Sequence, residues 1–175
     1  MEDTVPFGGP IWWAVLIFLI IGRGADLFST WVATPNLVLE ANPIARFLGW
    51  RLALPLNVVL CAVFSFFLLP GIIIGTTSAL VAARNFQQAW LMRTWGEEHY
   101  RSWYVERLRE TPLSLFLGCL VLQNLLVAGI GGILVWSGVS GSTILPVPFG
   151  IGLGILTYAV TVVFYTLLAL WRIRH

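Results

Sequence analysis

The sequence predicts an all-α integral membrane bundle of four transmembrane helices, with a short interfacial helix and a cytoplasmic amphipathic helix. Three observations carry this expectation. The chain is 58% hydrophobic and only 10% charged, far from the soluble average of about a quarter charged. Its mean hydropathy is +0.88. Its apolar residues fall into long runs of span length rather than a soluble core pattern. At 175 residues, four spans of about 20 residues and one modest extramembrane segment fill the chain. Residues 1–175 therefore read as a single transmembrane domain.

The first span is expected over about residues 10–32. Pro10 fits the first helical turn, and Trp12, Trp13 and Trp31 suit interfacial anchors. The acidic start, Glu2 and Asp3, lacks the basic flank of a secretory signal, so this segment is expected to be retained. Asn42-Pro43 is a helix start, because the Asn side chain caps free N–H groups and Pro tolerates the first turn. With Gly49 as a stop, a short interfacial helix follows over 43–48.

The second span is expected over about 52–83 as one tilted helix, kinked at Pro70-Gly71. Tyr100, Trp103, Tyr104 and Leu108 then recur at helical spacing among charges, giving an amphipathic surface helix over about 97–110. Glu97 and Glu98 in its first turn and Arg107 and Arg109 in its last suit the helix dipole. Spans three and four are expected over about 112–136, with Thr111 as cap, and 147–171. Small residues four apart, at Gly71 and Gly75, Ala128 and Gly132, and Gly150 and Gly154, would let helices approach closely.

Four spans put the surface helix and the C-terminus on one side with seven arginines, against Arg46 and Arg51 on the other. The positive-inside rule then makes the protein a multi-pass protein of the inner, cell membrane with both termini cytoplasmic and the Glu40–Pro43 loop outside. A hairpin at Pro70-Gly71 would place nine arginines inside. Its second arm, however, holds only about a dozen apolar residues before Arg84, short of the roughly 20 a span needs. Length decides for four spans.

Composition also excludes chemistry. All ten basic residues are arginines, without a basic run, so no nucleic-acid partner is expected and lysine chemistry is absent. Cys61 and Cys119 sit in apolar runs and read as small hydrophobes. His99 and His175 are the only histidines, which leaves no His-rich metal site or serine–histidine triad near other polar groups. The sequence names no cofactor.

One polar constellation stands out: Arg23, Asp26 and Thr30 on one face late in the first span, then Glu40 and Asn42 in the loop. Charges within a bilayer are costly and are functional candidates by default. At 1.5 Å per residue, Arg23 and Asp26 lie roughly 20 to 24 Å along the first span, so a shared outward-facing pocket with Glu40 and Asn42 is the sharp expectation. Two carboxylates with amide and hydroxyl oxygens could hold a hard cation, making Asp26 and Glu40 the metal candidates, or a lipid headgroup. The bland alternative is that Arg23 neutralises Asp26, Asn42 caps a helix and Glu40 is solvated. Asn57, Gln123 and Asn124 are expected to act as glue between helices, as are Thr157, Thr161 and Tyr165 on one face.

Asp26-x-x-x-Thr30 followed by Glu40-x-Asn42-Pro43 resembles a family of small bacterial and archaeal polytopic membrane proteins of unknown function. Those proteins carry an Asp/Thr pair late in one span and an acidic-x-Asn-Pro loop. The similarity covers about residues 11–75 and implies no activity. It implies that Asp26, Thr30, Glu40, Asn42 and Pro43 are the positions to test first.

The expected function is non-enzymatic: a polytopic membrane protein with an extracytoplasmic polar site for an ion, a lipid headgroup or a partner protein. Its partners are the lipid bilayer and either another membrane protein or a second copy of itself, which suits an accessory subunit. The alternative is a small intramembrane enzyme or transporter using Asp26 and Glu40.

Overall fold

The computed structural model describes residues 4–40 and 42–174. Glu2, Asp3, Ala41 and His175 lie outside the described residues. The fold is an all-α bundle of six helices, α1 (Pro10–Ala33), α2 (Pro43–Phe64), α3 (Leu68–Trp95), α4 (Glu97–Glu110), α5 (Leu113–Gly138) and α6 (Pro146–Arg174). All but α4 are long and apolar enough to cross a membrane. That makes five such helices where the sequence predicts four.

The difference lies in residues 52–83, which form parts of two helices rather than one kinked span. The chain reverses at Ser65–Phe67, and Pro70 falls in the first turn of α3. There the missing N–H costs nothing, because the first backbone donors of a helix have no intrahelical acceptor. Pro70-Gly71 therefore marks a helix start. The apparent shortage of apolar residues in the second arm also has a reason: α3 continues through Arg84–Gln88, and Asn85 is accepted there by α1, donating to Ser29 Oγ at 3.2 Å and Thr30 Oγ1 at 3.3 Å. A polar residue that finds partners on a neighbouring helix does not end a span.

Local signals fix the other boundaries. Helix α1 stops before Pro35, which drives Thr34 out of the helical region (φ −146°). Asn42 Oδ1 accepts from Ile44 N at 3.0 Å and caps α2 as expected. The expected break at Gly49 is present as a left-handed residue (φ 59°), a conformation that glycine adopts without steric cost. The helix resumes at once, so the interfacial helix 43–48 is the first segment of α2. Gly96, also at positive φ, ends α3 and leads directly into α4, whose bounds match the expected 97–110. Thr111 caps differently from expectation: its hydroxyl bonds back to Arg107 O at 2.7 Å, closing α4 rather than opening α5. Between α5 and α6 the chain makes a two-residue turn, with β1 (Val139–Ser140) paired antiparallel to β2 (Thr143–Ile144).

The contacts reveal direction. Val15 meets Gly71, Gly22 meets Gly75 and Thr30 meets Asn85, a nearly constant offset that makes α1 and α3 parallel neighbours. Gly150 against Ile72 and Gly154 against Thr76 make α6 parallel to α3. Gly131 against Gly152 and Gly138 against Phe149 run in opposite senses, so α5 is antiparallel to α6. Helices α1, α3 and α6 thus form one parallel row, with α5 packed on α6 and α2 touching α1 and α3 lightly.

This alternation sorts the loops. Val5 N donates to Phe66 O at 2.8 Å at one end, while Arg174 Nη2 reaches Leu108 O at 3.2 Å and Thr111 O at 3.1 Å at the other. The two ends of the described chain therefore lie at opposite ends of the bundle. Loop 34–42 and α4, expected on opposite sides, share the same end.

Close approach of backbones holds the row together, as expected where lipid removes most of the hydrophobic drive between helices. A Cβ on Gly22 would sit 2.8 Å from Gly75 O. Gly71, Gly75, Gly150 and Gly154 also lie at tight helix contacts, as their spacing predicts, chiefly against the side chains of Val15, Phe18, Ile72 and Thr76. Gly132 does not: it faces open space, and its neighbour Gly131 makes the contact. Thr77 adds a hydroxyl bond to Gly154 O at 3.0 Å. Asn124, Thr157 and Thr161 instead bond carbonyls of their own helices.

Candidate polar sites at mid-bundle and at the arginine-rich end

Two polar networks are built on this frame. The first surrounds Arg23, about 20 Å along α1 from Pro10 and about 15 Å short of Ala33, close to the middle of the helix. Its Nη1 donates to Asp26 Oδ2 at 2.8 Å and to Ser78 Oγ at 3.1 Å, and its Nε donates to Asn57 Oδ1 at 2.7 Å. One guanidinium thus links α1, α2 and α3. Asn57 is held in place by donating to Ala53 O at 2.7 Å. Asn57 and Ser78 are buried, so Arg23 can reach them only if it enters the bundle with a countercharge. Asp26, one turn along the same helix, supplies it.

The second network fastens loop 34–42 to α4. Glu97 accepts from Thr34 Oγ1, from Asn36 N at 3.0 Å and Nδ2 at 2.9 Å, and from Val38 N at 3.1 Å. Thr34 Oγ1 in turn accepts from Leu39 N at 3.1 Å. Trp50 Nε1 donates to Pro35 O at 2.8 Å, which pins the start of α2 to the same loop. Burial raises the proton affinity of the Glu97 carboxyl, but the hydrogen bonds from Thr34, Asn36 and Val38 outweigh it and hold the group below its ordinary range.

The expected site residues divide between these networks and the loop. Arg23 and Asp26 pair as expected. Thr30 joins Ser29 in receiving Asn85. Glu40 Oε1 accepts from Asn42 N at 2.8 Å while Asn42 caps α2, so these two order the loop locally. Ser78, Asn85 and Glu97 were not legible as partners. Glu97 already had a sufficient explanation in the dipole of α4, which masked its second role.

Beside Glu97 opens a cleft of about 660 Å³, walled by the end of α1, the loop and the α3–α4 corner. Ala33, Val38 and Met92 line its apolar side, and Arg93, Glu98 and His99 its polar side. The Arg93 guanidinium lies 5.8 Å from the centre of the Trp31 ring, a cation–π contact.

As for metals, Asp26 already carries Arg23 as a countercharge, which opposes a bound cation at that carboxylate. Among the described residues no group of three or more His, Cys, Asp or Glu side chains could hold a metal ion. Cys61 and Cys119 are free thiols. Comparison with protein-family models, with curated proteins and with solved structures gave no match.

Proposed function

We propose that this chain is a non-enzymatic, multi-pass protein of the cell membrane that binds a polar ligand at its arginine-rich end. The ligand is a lipid headgroup, an ion or a polar segment of a partner protein. One observation carries the reading: the Glu97 carboxylate, through four accepted hydrogen bonds, shapes loop 34–38 into the wall of a ligand-sized cleft. Binding pockets commonly span about 300–1,000 Å³.

Orientation follows from the arginines. With five spanning helices, every arginine except Arg23 belongs to the end that carries loop 34–42, α4 and the C-terminus. The positive-inside rule favours that end in the cytoplasm and the N-terminus outside. This moves the N-terminus outside and turns the polar loop inward, while α4 and the C-terminus keep the side expected from four spans. The alternative of carboxylate chemistry at Asp26 and Glu40 draws less support, because the first is paired with Arg23 and the second braces Asn42.

Two measurements test this reading. A cysteine placed at Leu39 should react with a membrane-impermeant reagent in inverted vesicles and not in intact cells. Native mass spectrometry of protein extracted in mild detergent should show a retained lipid, ion or partner that is lost in Glu97→Ala. Labelling from outside, or a bare protein under both conditions, would sink the proposal.

A further inference from the structure

We propose that the cleft beside Glu97 is a receptor for the zwitterionic headgroup of a phosphatidylethanolamine lipid, with Arg93 engaging the phosphate and Glu98 the ammonium. This inference rests on the binding role proposed above and names its ligand.

The charge inventory of the cleft argues for a zwitterion. Glu97 is committed to loop 34–38. Arg93 and Glu98 form no ion pair among the described residues. The cleft thus presents one guanidinium and one carboxylate without an ion-pair partner, beside the hydrogen-bonded carboxylate of Glu97. An anionic headgroup would satisfy Arg93 and leave Glu98 facing a like charge. A phosphodiester carrying a primary ammonium satisfies both, and each contact is a charge-assisted hydrogen bond.

Geometry prepares Arg93 for the phosphate. The cation–π contact with Trp31 places the guanidinium at the cleft, and its forked N–H groups match phosphate oxygens. A primary ammonium also suits a carboxylate better than a quaternary one does, because it has N–H groups to donate and a trimethylated nitrogen has none.

Position argues for a lipid rather than a free metabolite. The cleft begins where α1 ends at Ala33, and Trp31, Trp90 and Trp95 are exposed around that level. Tryptophans at span ends mark the headgroup layer. The apolar wall of Ala33, Val38 and Met92 faces the first carbons of the lipid, and Asn36 and His99 lie on the same lining.

The test uses the full chain, delipidated in detergent and titrated with phosphatidylethanolamine, phosphatidylcholine or phosphatidylglycerol, with bound lipid counted by native mass spectrometry. Phosphatidylethanolamine should be retained about tenfold better than phosphatidylglycerol. Arg93→Ala and Glu98→Ala should each remove about that factor, the scale of one charge-assisted contact. Both side chains are exposed, so thermal midpoints should hold, and Arg109→Ala, on the last turn of α4, should bind as the wild type does. Equal retention of the three lipids, or insensitivity to both substitutions, would overturn the assignment while leaving the broader binding role standing if any ligand is retained. Competition by soluble glycerophosphoethanolamine at the same concentration as the lipid would overturn the lipid as the source. Labelling of position 39 from outside would instead remove the cytoplasmic reading on which this one rests.

Discussion

Thr34 donates its hydroxyl to the Glu97 carboxylate across 63 residues of sequence, joining the end of α1 to the start of α4. Asn36 and Val38 bind the same carboxylate, so one side chain sets the course of the loop. Replacing Glu97 by Gln removes the charge and turns one acceptor oxygen into a donor. The expected cost is about 2 kcal/mol, read as a fall of about 4–8 °C in the thermal midpoint in detergent. Amide exchange at Asn36, Val38 and Leu39 should accelerate as well. Unchanged exchange there would show that the loop holds its shape without Glu97.

The same carboxylate predicts an acid limb. Its folded pKa lies below the ordinary value of 4.5, so the unfolded chain takes up the proton more readily than the folded one. The stabilisation is therefore complete above that ordinary value and is lost as pH falls through the lower, folded value. Wild-type thermal midpoints should decline in that acid window, and Glu97→Gln should decline less steeply, converging on the wild type. Parallel curves for the two proteins would contradict the assignment.

The mid-bundle network predicts a non-additive pair. Asp26→Asn leaves the Arg23 guanidinium inside the bundle without its countercharge and should cost about 3 kcal/mol. Arg23→Met combined with Asp26→Leu removes both charges and should cost less than Asp26→Asn alone. A double substitution as damaging as the sum of its parts would mean that the two residues act independently.

Glycines separate into those at contacts and those in open space. Gly22→Ala would drive a methyl group against Gly75 O and should cost about 1–3 kcal/mol by forcing α1 from α3. Gly24→Ala, two residues away with nothing within 4 Å, should be neutral or slightly stabilising, since alanine is the better helix former. The same contrast should hold for Gly131→Ala against Gly132→Ala, measured by unfolding in detergent.

Much of this was legible from the residues alone. The helical class, the cap at Asn42, the break at Gly49, the bounds of α4 and the pairing of Arg23 with Asp26 all follow from local rules, because each is decided within a few residues. What escaped was non-local. Hydropathy treats Arg84–Gln88 as a span end because it has no means of knowing that Asn85 finds acceptors on α1. A Pro-Gly pair reads equally as a kink, a turn tip or a helix start, and the location of the reversal at Ser65–Phe67 decides which. Counting residues 52–83 as one span puts loop 34–42 at the opposite end of the bundle from α4 and the C-terminus, and so separates it from Glu97.

The ion pair between Arg23 and Asp26 is complete within a single helix, and this bears on biogenesis. During synthesis α1 reaches the membrane before Asn57 and Ser78 have been made, so no other helix can then solvate the guanidinium. An unpaired Arg or Asp at the centre of a helix opposes translocon-mediated insertion by about 2.5–3.5 kcal/mol each. Because the two side chains neutralise each other one turn apart, the nascent helix can partition as a neutral rod and acquire its partners later. Isolated α1 carrying Asp26→Ala should therefore insert less efficiently than the native segment in a glycosylation-reporter assay.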